Sequence, residues 1–358
     1  MKYSVAVDVM TAERGLDVAI AGCIAAKKFQ NLEKIVLVGD SWKINKLLGS
    51  KNYSGNLIEI VHADTIIDMD EPNPALRVKS EASSAKKSSV VRAAELVLEK
   101  RVNAYVSPGN TAAMGASARL ILGKIEGIKK TPIASAIPTM DSGKLNVICD
   151  VGTNVNVTEK DFAQFAILLS SYIHVHKKTA YPKIGLMNIG TEDQKGSSSY
   201  KSANDLLAKL GEKGVINYAG NTEPYSLFDP SIDGLVCDGH IGNFVLKTME
   251  ATAKFMKSQV KEKFKKPKNL LLSMPGMLGI LSTYYDLKMS IMNPSNYAGA
   301  PVLGVKGTAI VTHGSADSDA ICAAIGIALD NIETLTSEKY YNLVAEKCKE
   351  CCRLIESS

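Results

Sequence analysis

The chain has 358 residues, enough for about two domains or one large α/β body at roughly 150 residues per domain. Its 46% apolar and 22% charged residues are typical of ordinary globular proteins and exclude disordered and collagen-like chains. The net charge is only +5, and aromatic residues make up 6% with a single tryptophan, so a surface that stacks or wraps nucleic acid is not expected.

Short β-branched runs alternate along the chain with helical patterns, which is the order typical of βαβ units. The predicted strands cover residues 4–9, 34–39, 103–107, 146–150, 183–189, 234–238 and 308–312, and the clearest helices cover residues 16–28 and 159–176. This order predicts an α/β fold in which a mostly parallel, twisted sheet carries helices on both faces. We expect an α/β body at residues 1–250 and 300–335, a helical arm at 251–299 and a C-terminal helix at 336–358.

Five of these strands run into loops rich in glycine, asparagine and threonine. The loops are SPGNT at 107–111, CDVGTN at 149–154, NIGTEDQKG at 188–196, DGHIGN at 238–243 and THGS at 312–315. Ligands of open α/β sheets bind at the carboxyl ends of strands, where helix N-termini offer free N–H groups to anions. Any one of these loops is explained equally well as a helix cap, but five together predict a ligand site.

Several common motifs are missing from the sequence. The first strand is not followed by G-x-G-x-x-G, and the chain contains no P-loop, no G-x-S-x-G elbow and no H-E-x-x-H. No cofactor or metal is therefore expected, and Cys348-x-x-Cys351-Cys352 is predicted to lie on a helix surface because no second ligand pair accompanies it. The odd total of seven cysteines indicates reduced thiols, and the N-terminus has no signal-peptide core, so a cytoplasmic protein is expected.

The basic bias of the chain is confined to residues 257–268. This stretch contains six lysines and one glutamate, an excess equal to the whole net charge. The apolar segment at 269–285 follows directly but is broken by Pro275 and is shorter than a span of about 20 residues. It is explained equally by attachment to an anionic membrane surface and by a dimerisation arm, and the two are compatible. The predicted membrane contacts are Lys261, Lys265, Lys266, Leu278 and Leu281.

Taken together, the strand-end motifs resemble those of the bacterial phosphate acyltransferases of phospholipid synthesis. The resemblance runs from Val5 to about Leu329 and is carried by residues 107–112, 149–154, 184–196, 236–247, 296–304 and 313–315. It implies an α/β fold similar to isopropylmalate dehydrogenases and phosphate acetyltransferases, and a homodimer attached peripherally to the membrane. It also implies transfer of a long-chain acyl group from acyl carrier protein to inorganic phosphate, the first step towards phosphatidic acid.

On this basis the predicted catalytic residues are Lys195, His313 and Asp238, and the predicted substrate-binding residues are Asn110, Thr111, Asp150, Asn154, Gly196, Gly242, Asn243 and Lys247. Lys195 and Lys247 are expected to neutralise phosphate, and His313 to donate a proton to the departing thiol. Backbone N–H groups at 110–111 and 242–243 are expected to bind an anion. Asp150 and Asp238 are expected to orient these groups.

The sequence departs from the family pattern at two junctions. The family's Met-Gly-Gly-Asp is replaced by Met10, Thr11, Ala12 and Glu13, and its Val-Glu-Gly-Arg by residues 222–225, TEPY. Two alternatives therefore stay open. One is a catalytically altered paralogue that forms acetyl phosphate from a short acyl group. The other is a non-catalytic module that binds carrier protein or membrane.

Overall fold

The alternating apolar runs form the strands and helices of an α/β protein. The computed structural model describes residues 1–51, 53, 55–141, 143–265 and 298–356. Its strands are β1 (Tyr3–Asp8), β2 (Leu32–Gly39), β3 (Ile58–His62), β4 (Ala104–Ser107), β5 (Ala134–Pro138), β6 (Leu145–Cys149), β7 (Lys183–Met187), β8 (Asn217–Thr222), β9 (Gly234–Val236), β10 (Gly299–Pro301) and β11 (Thr308–Thr312).

The helices follow most strands and cover the sheets. They are α1 (Leu16–Ala25), α2 (Ser41–Ser50), α3 (Pro74–Ala82), α4 (Ser89–Leu98), α5 (Thr111–Ser117), α6 (Glu159–His176), α7 (Ser198–Glu212), α8 (Gly239–Lys265), α9 (Ser318–Leu335) and α10 (Glu338–Glu356). Short 3₁₀ turns lie at Ala26–Lys28 and Pro224–Phe228, and a π-helical turn at Ala118–Leu122 extends α5.

The strands divide between two sheets rather than forming one. The first has the order β10-β11-β4-β1-β2-β3 and the second β5-β6-β9-β7-β8. All pairs are parallel except β10 with β11 and β5 with β6. The antiparallel edge strands adjoin each other, because the Leu303 N–H donates to the Pro132 carbonyl at 2.8 Å and Ile133 bridges Val302. The predicted α/β fold class, mostly parallel with helices on both faces, is confirmed.

Helix α8 connects the carboxyl edges of the two sheets. It begins three residues after β9 of the second sheet, and its inner face carries Ile241, Val245 and Met249. These side chains pack against a core that includes Ile148 of the second sheet and Val311 of the first. Its first turns are therefore fixed by apolar contacts to both sheets, which determines where its polar residues lie.

The predicted element bounds agree with the structure to within three residues. Helix α6 has the predicted bounds, because Thr158 and Asp161 form a capping box at its start. The first helix ends earlier than predicted, since its last three residues form the 3₁₀ turn Ala26–Lys28. The predicted strands 183–189 and 234–238 end at Met187 and Val236, and the loops begin there.

The predicted surface position of the C-terminal cysteines is wrong for two of them. Cys348 and Cys351 are buried on the apolar face of α10 with Tyr340 and Val344, and only Cys352 is exposed. Residues three and four apart share one helix face, so the same spacing that suggested a ligand pair directs these thiols into the core. Burial raises the pKa of the Cys348 thiol to about 12.

The predicted membrane contacts fall largely beyond the described part of the chain. Lys266, Leu278 and Leu281 lie outside the described residues, whereas the backbone of α8 continues through Lys261 to Lys265. Helix α8 thus extends fifteen residues past position 250, the predicted end of the body. Among the described residues no single helix has the length and hydropathy to cross a bilayer; α9 and α10 reach that threshold only as a pair bent by 65°.

Candidate active site

The loop after β6 is organised around the buried carboxylate of Asp150. Oδ1 accepts hydrogen bonds from the backbone N–H groups of Ile133 at 3.0 Å and of Gly152 and Thr153 at 3.2 Å. Oδ2 accepts from the backbone N–H of Asn154 at 2.7 Å and from its side-chain amide at 2.8 Å. Burial raises the pKa of Asp150 even though these donors favour the ionised form. Both oxygens are thus used to fix the loop.

Helix α8 begins directly against this loop. The Gly239 N–H donates to the Asn154 carbonyl at 2.8 Å, and Asp238 caps the helix by accepting from the Ile241 N–H at 2.8 Å. Gly242 packs so closely that an added Cβ would lie 1.8 Å from the backbone oxygen of Asp150. The Gly242 N–H donates to the Asp238 carbonyl at 2.9 Å, so it is engaged within the helix rather than open to an anion as the sequence suggested.

Tyr200 of α7 completes the surroundings of Asp238. Its hydroxyl donates to Asp238 Oδ2 at 2.7 Å. Burial and the neighbouring carboxylate raise the pKa of Tyr200, so the phenol stays protonated as a donor. Sequence reasoning missed Tyr200, and its position within a helix gave no local signal that could have found it.

Lys195 and Gly196 lie on the loop that precedes α7. Gly196 has φ +87°, and an added Cβ would lie 2.7 Å from Asn188 Oδ1. The Asn188 amide donates to the Lys195 carbonyl at 3.1 Å, which fastens the loop to the end of β7. The Lys195 side chain is 47% exposed and its ammonium lies 3.7 Å from Glu192 Oε1, so it projects from the loop into solvent.

A cleft of about 330 Å³ opens where α6, α7 and α8 begin. It is lined by Val155, Asn156, Val157, Thr158, Ser197, Ser199, Tyr200 and Asp238. Thr158, Ser197 and Asp238 are the residues that precede the three helices. The partial positive charge of each N-terminus favours a negatively charged or polar group in this cleft, although the Asp238 carboxylate opposes an anion close to it.

Further along α8, Lys247 meets His313 at the end of β11. The distance from Lys247 Nζ to His313 Nε2 is 2.5 Å, and His313 Nδ1 lies 2.8 Å from Ser315 Oγ. Desolvation and the Lys247 ammonium lower the pKa of His313, which favours a neutral imidazole at neutral pH. The Ser315 N–H donates to Nδ1 at 3.1 Å and the Lys247 ammonium donates to Nε2, so a neutral imidazole, which has one acceptor nitrogen, satisfies only one of these two contacts. At 1.5 Å per residue this pair lies about 13 Å along the helix from Asp238.

The loops after β1 and β4 meet at a second buried carboxylate. Asp8 Oδ2 accepts from Thr11 Oγ1 at 2.8 Å and from Ser107 Oγ at 2.9 Å, and Oδ1 accepts from the Met10 N–H at 3.1 Å. Ser107 Oγ in turn accepts from the Gly109 N–H at 3.2 Å. Burial raises the pKa of Asp8. Sequence reasoning did not single out Asp8, although an acidic residue at the end of a mostly apolar strand is a usable signal.

Asn110 and Thr111 form the start of α5. The Asn110 carboxamide oxygen accepts from the N–H groups of Ala112 at 3.0 Å and Ala113 at 3.1 Å, so this residue is an N-cap. Within α5, an added Cβ on Gly115 would lie 2.7 Å from the Thr153 side chain. Helix α5 of the first sheet therefore packs directly on the Asp150 loop of the second.

The structure thus brings most predicted residues into two groups joined by α8. The first group surrounds the start of the helix and consists of Asp150, Asn154, Asp238, Gly242 and Asn243. The Asp150 loop is close to Asn243, because an added Cβ on Gly152 would lie 3.7 Å from Asn243 Cβ. Lys247 and His313 form the second group, whereas Lys195 pairs with Glu192. Within the described ranges, no group of three or more His, Cys, Asp or Glu side chains is arranged to hold a metal ion.

Comparison with known proteins identifies the family. A family model described as "Fatty acid synthesis protein" matches residues 3–339. Phosphate acyltransferase from Halothermothrix orenii is 34% identical over 330 residues, which cover 92% of this chain and 94% of the relative. Phosphate acyltransferase from Legionella pneumophila (strain Corby) is 38% identical over 316 residues, 88% of each chain. The chain belongs to the phosphate acyltransferase family, a family of enzymes.

Solved structures agree with this family assignment at the level of the fold. A phosphotransacetylase from Streptococcus pyogenes superimposes with a TM-score of 0.59 at 13% identity, covering 92% of this chain and 94% of that one. A 4-hydroxythreonine-4-phosphate dehydrogenase from Klebsiella pneumoniae gives a TM-score of 0.51 at 12% identity, covering 92% and 98%. This member of the phosphate acyltransferase family therefore shares its α/β architecture with both transferases and dehydrogenases.

Proposed function

We propose that this chain transfers an acyl group from the thioester of acyl carrier protein to inorganic phosphate and releases an acyl phosphate. Membership of the phosphate acyltransferase family supports acyl transfer to phosphate. The observation that carries the proposal is the pairing of Lys247 with His313 at the carboxyl edge of the first sheet. An ammonium and an imidazole held together supply a positive charge for phosphate and a group that exchanges a proton.

The chemistry requires one bond to form and one to break. A phosphate oxygen attacks the thioester carbonyl carbon, the carbon–sulfur bond breaks, and the thiolate leaves and takes up a proton. Because a thiol has a pKa of about 8.5, the thiolate is a fair leaving group, and most of the catalysis lies in holding the phosphate in position. Lys247 neutralises the phosphate and the negative charge that develops on the carbonyl oxygen.

His313 is the proton donor in this scheme. Its pKa is lowered in the free protein, so the imidazole is neutral before phosphate binds. A phosphate anion next to the imidazole favours the protonated form, because opposite charges stabilise each other. Phosphate binding thus supplies the nucleophile and charges His313 in the same event. The protonated imidazole then donates to the departing thiolate.

Lys195 adds a second positive charge near the site residues at the start of α8, where its ammonium pairs with Glu192. It lies two residues before Ser197, which lines the cleft at the starts of α6, α7 and α8. We assign Lys195 to neutralising phosphate groups of the substrates as they enter this cleft. Asp150 and Asp238 act by holding the loop and the helix start, since their oxygens are already occupied by backbone and side-chain donors.

The proposed substrate is a long-chain acyl group, and the acyl phosphate formed is the first intermediate towards phosphatidic acid. Such a product partitions towards a bilayer, which fits a cytoplasmic enzyme that works as a homodimer on an anionic membrane surface. The lysine-rich residues 257–268 and the apolar residues 269–285 support this attachment, because basic charge and apolar burial reinforce each other at an interface.

The assay that tests the reaction measures release of free carrier protein from acyl thioesters of two to eighteen carbons, with and without phosphate. We expect phosphate-dependent release that is fastest with long chains. Equal release without phosphate indicates a thioesterase, and a preference for acetyl indicates an acetyl phosphate former; either contradicts the proposal. His313→Ala and Lys195→Ala should each slow turnover about 100-fold, while Lys213→Ala, an exposed lysine after α7, should not.

Vesicle flotation tests the membrane attachment separately. The unmodified protein should rise with anionic liposomes and bind less at high salt, since screening weakens the contribution of the lysines. Leu278→Glu and Leu281→Glu should remain unbound, because each places a charge on a surface that must be buried. If both variants float like the parent and still dimerise, residues 269–285 form a dimer contact instead.

A further inference from the structure

The loop after β1 contacts the loops that follow both β4 and β11. An added Cβ on Gly109 of the β4 loop would lie 2.7 Å from Thr11 Oγ1. The Glu13 N–H donates to the carbonyl of Gly314 at 2.9 Å, and an added Cβ on Gly314 would lie 2.5 Å from Glu13 Oε1. Because β4 lies between β1 and β11 in the sheet, this loop crosses the end of β4 to reach the residue next to His313.

The position of this loop depends on the buried carboxylate of Asp8. A carboxylate without exposure to water requires hydrogen-bond donors, and the hydroxyls of Thr11 and Ser107 both donate to its Oδ2. Thr11 belongs to the β1 loop and Ser107 to the β4 loop, so one oxygen atom joins the two. Loss of the Thr11 hydroxyl removes this connection and leaves only the Met10 N–H of the β1 loop to donate to Asp8.

We propose that Thr11 and Glu13 are positioning residues. The Thr11–Asp8 hydrogen bond holds the β1 loop in place, so that the Glu13 carboxylate faces the imidazole of His313. The inference rests on the proposed function, since it assigns these residues a role through His313. Neither residue touches the reacting atoms. Glu13 sets the charge around the proton donor, and Thr11 sets the position of Glu13.

The charges around His313 explain why this position matters. Burial is the largest cause of the lowered pKa of His313; among the charges, the ammonium groups of Lys247 and Lys254 lower the pKa further, whereas the carboxylates of Glu250 and Glu13 raise it. Lys247, Lys254 and Glu250 all belong to α8, so Glu13 is the opposing charge that comes from a different element. Removing its charge, or letting it move away, leaves the lysines less opposed and lowers the His313 pKa further.

The test is an NMR titration of the His313 ring, identified by the signal missing in His313→Ala. Glu13→Gln should lower the His313 pKa by a few tenths of a pH unit, and Thr11→Ala should produce a shift in the same direction. Thr11→Ser, which keeps the hydroxyl, should restore the parent value. The matched control is Glu33→Gln, which removes an exposed carboxylate at the start of β2 and should leave the titration unchanged.

An unchanged titration in Glu13→Gln overturns the placement of the carboxylate, and this exposed substitution does not threaten the fold. A shift in Glu13→Gln with none in Thr11→Ala overturns the positioning role of Thr11. A Thr11→Ser variant whose His313 titrates as in Thr11→Ala also overturns the positioning role of Thr11. Turnover is measured on the same proteins, so that the two proposals are tested separately. If the parent protein forms no acyl phosphate, the proposed function fails. The titration of His313 still decides whether Thr11 positions Glu13.

Discussion

Gly242 and the backbone oxygen of Asp150 are in such close contact that a Cβ on Gly242 would lie 1.8 Å from that oxygen. The same Cβ would approach the Cys237 sulfur at 2.9 Å. A backbone oxygen in a hydrogen-bonded loop cannot rotate away as a flexible side chain can. Helix α8 therefore lies at a distance from the loop that only glycine permits at this position.

Gly242→Ala should destabilise the protein by about 2 kcal/mol or more, because the added methyl group forces the helix away from the Asp150 loop. The matched control is Gly49→Ala in α2, where an added Cβ has no atom within 4 Å and a helical alanine is favoured. Urea denaturation of both variants measures the difference. A Gly242→Ala variant as stable as the parent would show that the helix shifts at no cost.

Tyr200→Phe should reduce turnover and lower the free energy of unfolding by about 1 kcal/mol, since it removes the hydrogen bond to Asp238. Tyr218→Phe is its control, because Tyr218 also donates a 2.7 Å hydrogen bond, to Asn204, away from the start of α8. Steady-state kinetics and denaturation are measured for both. If the two variants lose activity equally, Tyr200 has only a structural role.

Lys247→Met should raise the pKa of His313 towards its ordinary value, because the nearest ammonium is removed. Because the pKa of His313 is lower in the folded protein than its value of about 6.5 in the unfolded chain, His313 contributes to stability above pH 6.5 or so. This contribution is lost as the pH falls. The variant should therefore lose less stability than the parent between pH 7 and pH 5. Thermal denaturation at several pH values measures this, and identical pH profiles would contradict the Lys247–His313 pairing.

Asp150→Asn should destabilise the protein by about 2 kcal/mol at neutral pH, because an NH₂ group replaces an oxygen that faces N–H donors. The penalty should grow at low pH, where the parent gains stability that the non-titrating asparagine cannot supply. The raised pKa of Asp150 means that its favourable contribution is present below the unfolded pKa and lost as pH rises through the folded one. Asp40→Asn, a partly exposed N-cap where asparagine serves equally well, should change stability little.

The sequence predicts the parts of this site that follow from sheet geometry. Asp150 and Asp238 end up together because β6 and β9 are parallel neighbours, and the carboxyl ends of such strands share one edge. Strand β8 was not predicted, because its sequence NYAGNT is polar and only its pairing with β7 makes it a strand. The two-sheet division depends on the edge strands β5 and β10, which are short and carry no strong pattern.

The contacts that the charged residues make could not be predicted from sequence patterns. Lys247 and His313 are 66 residues apart, and their meeting depends on the direction in which α8 leaves the second sheet. Lys195 and Lys247 look alike in sequence, yet one pairs with a glutamate in its own loop and the other with the imidazole. The Asp8–Ser107 hydrogen bond also joins residues 99 apart, but it follows from sheet geometry, because these residues end the parallel neighbours β1 and β4.

The uninterrupted course of α8 from its Asp238 cap to Lys247 makes the site sensitive to residue number as well as residue type. Each helical residue advances 1.5 Å and turns about 100° around the axis. Deleting residue 244, 245 or 246 would remove none of the proposed site side chains. It would nevertheless rotate Lys247 through more than a quarter of a turn, away from His313. Insertions and deletions in this stretch are therefore excluded by the angular phase of the helix.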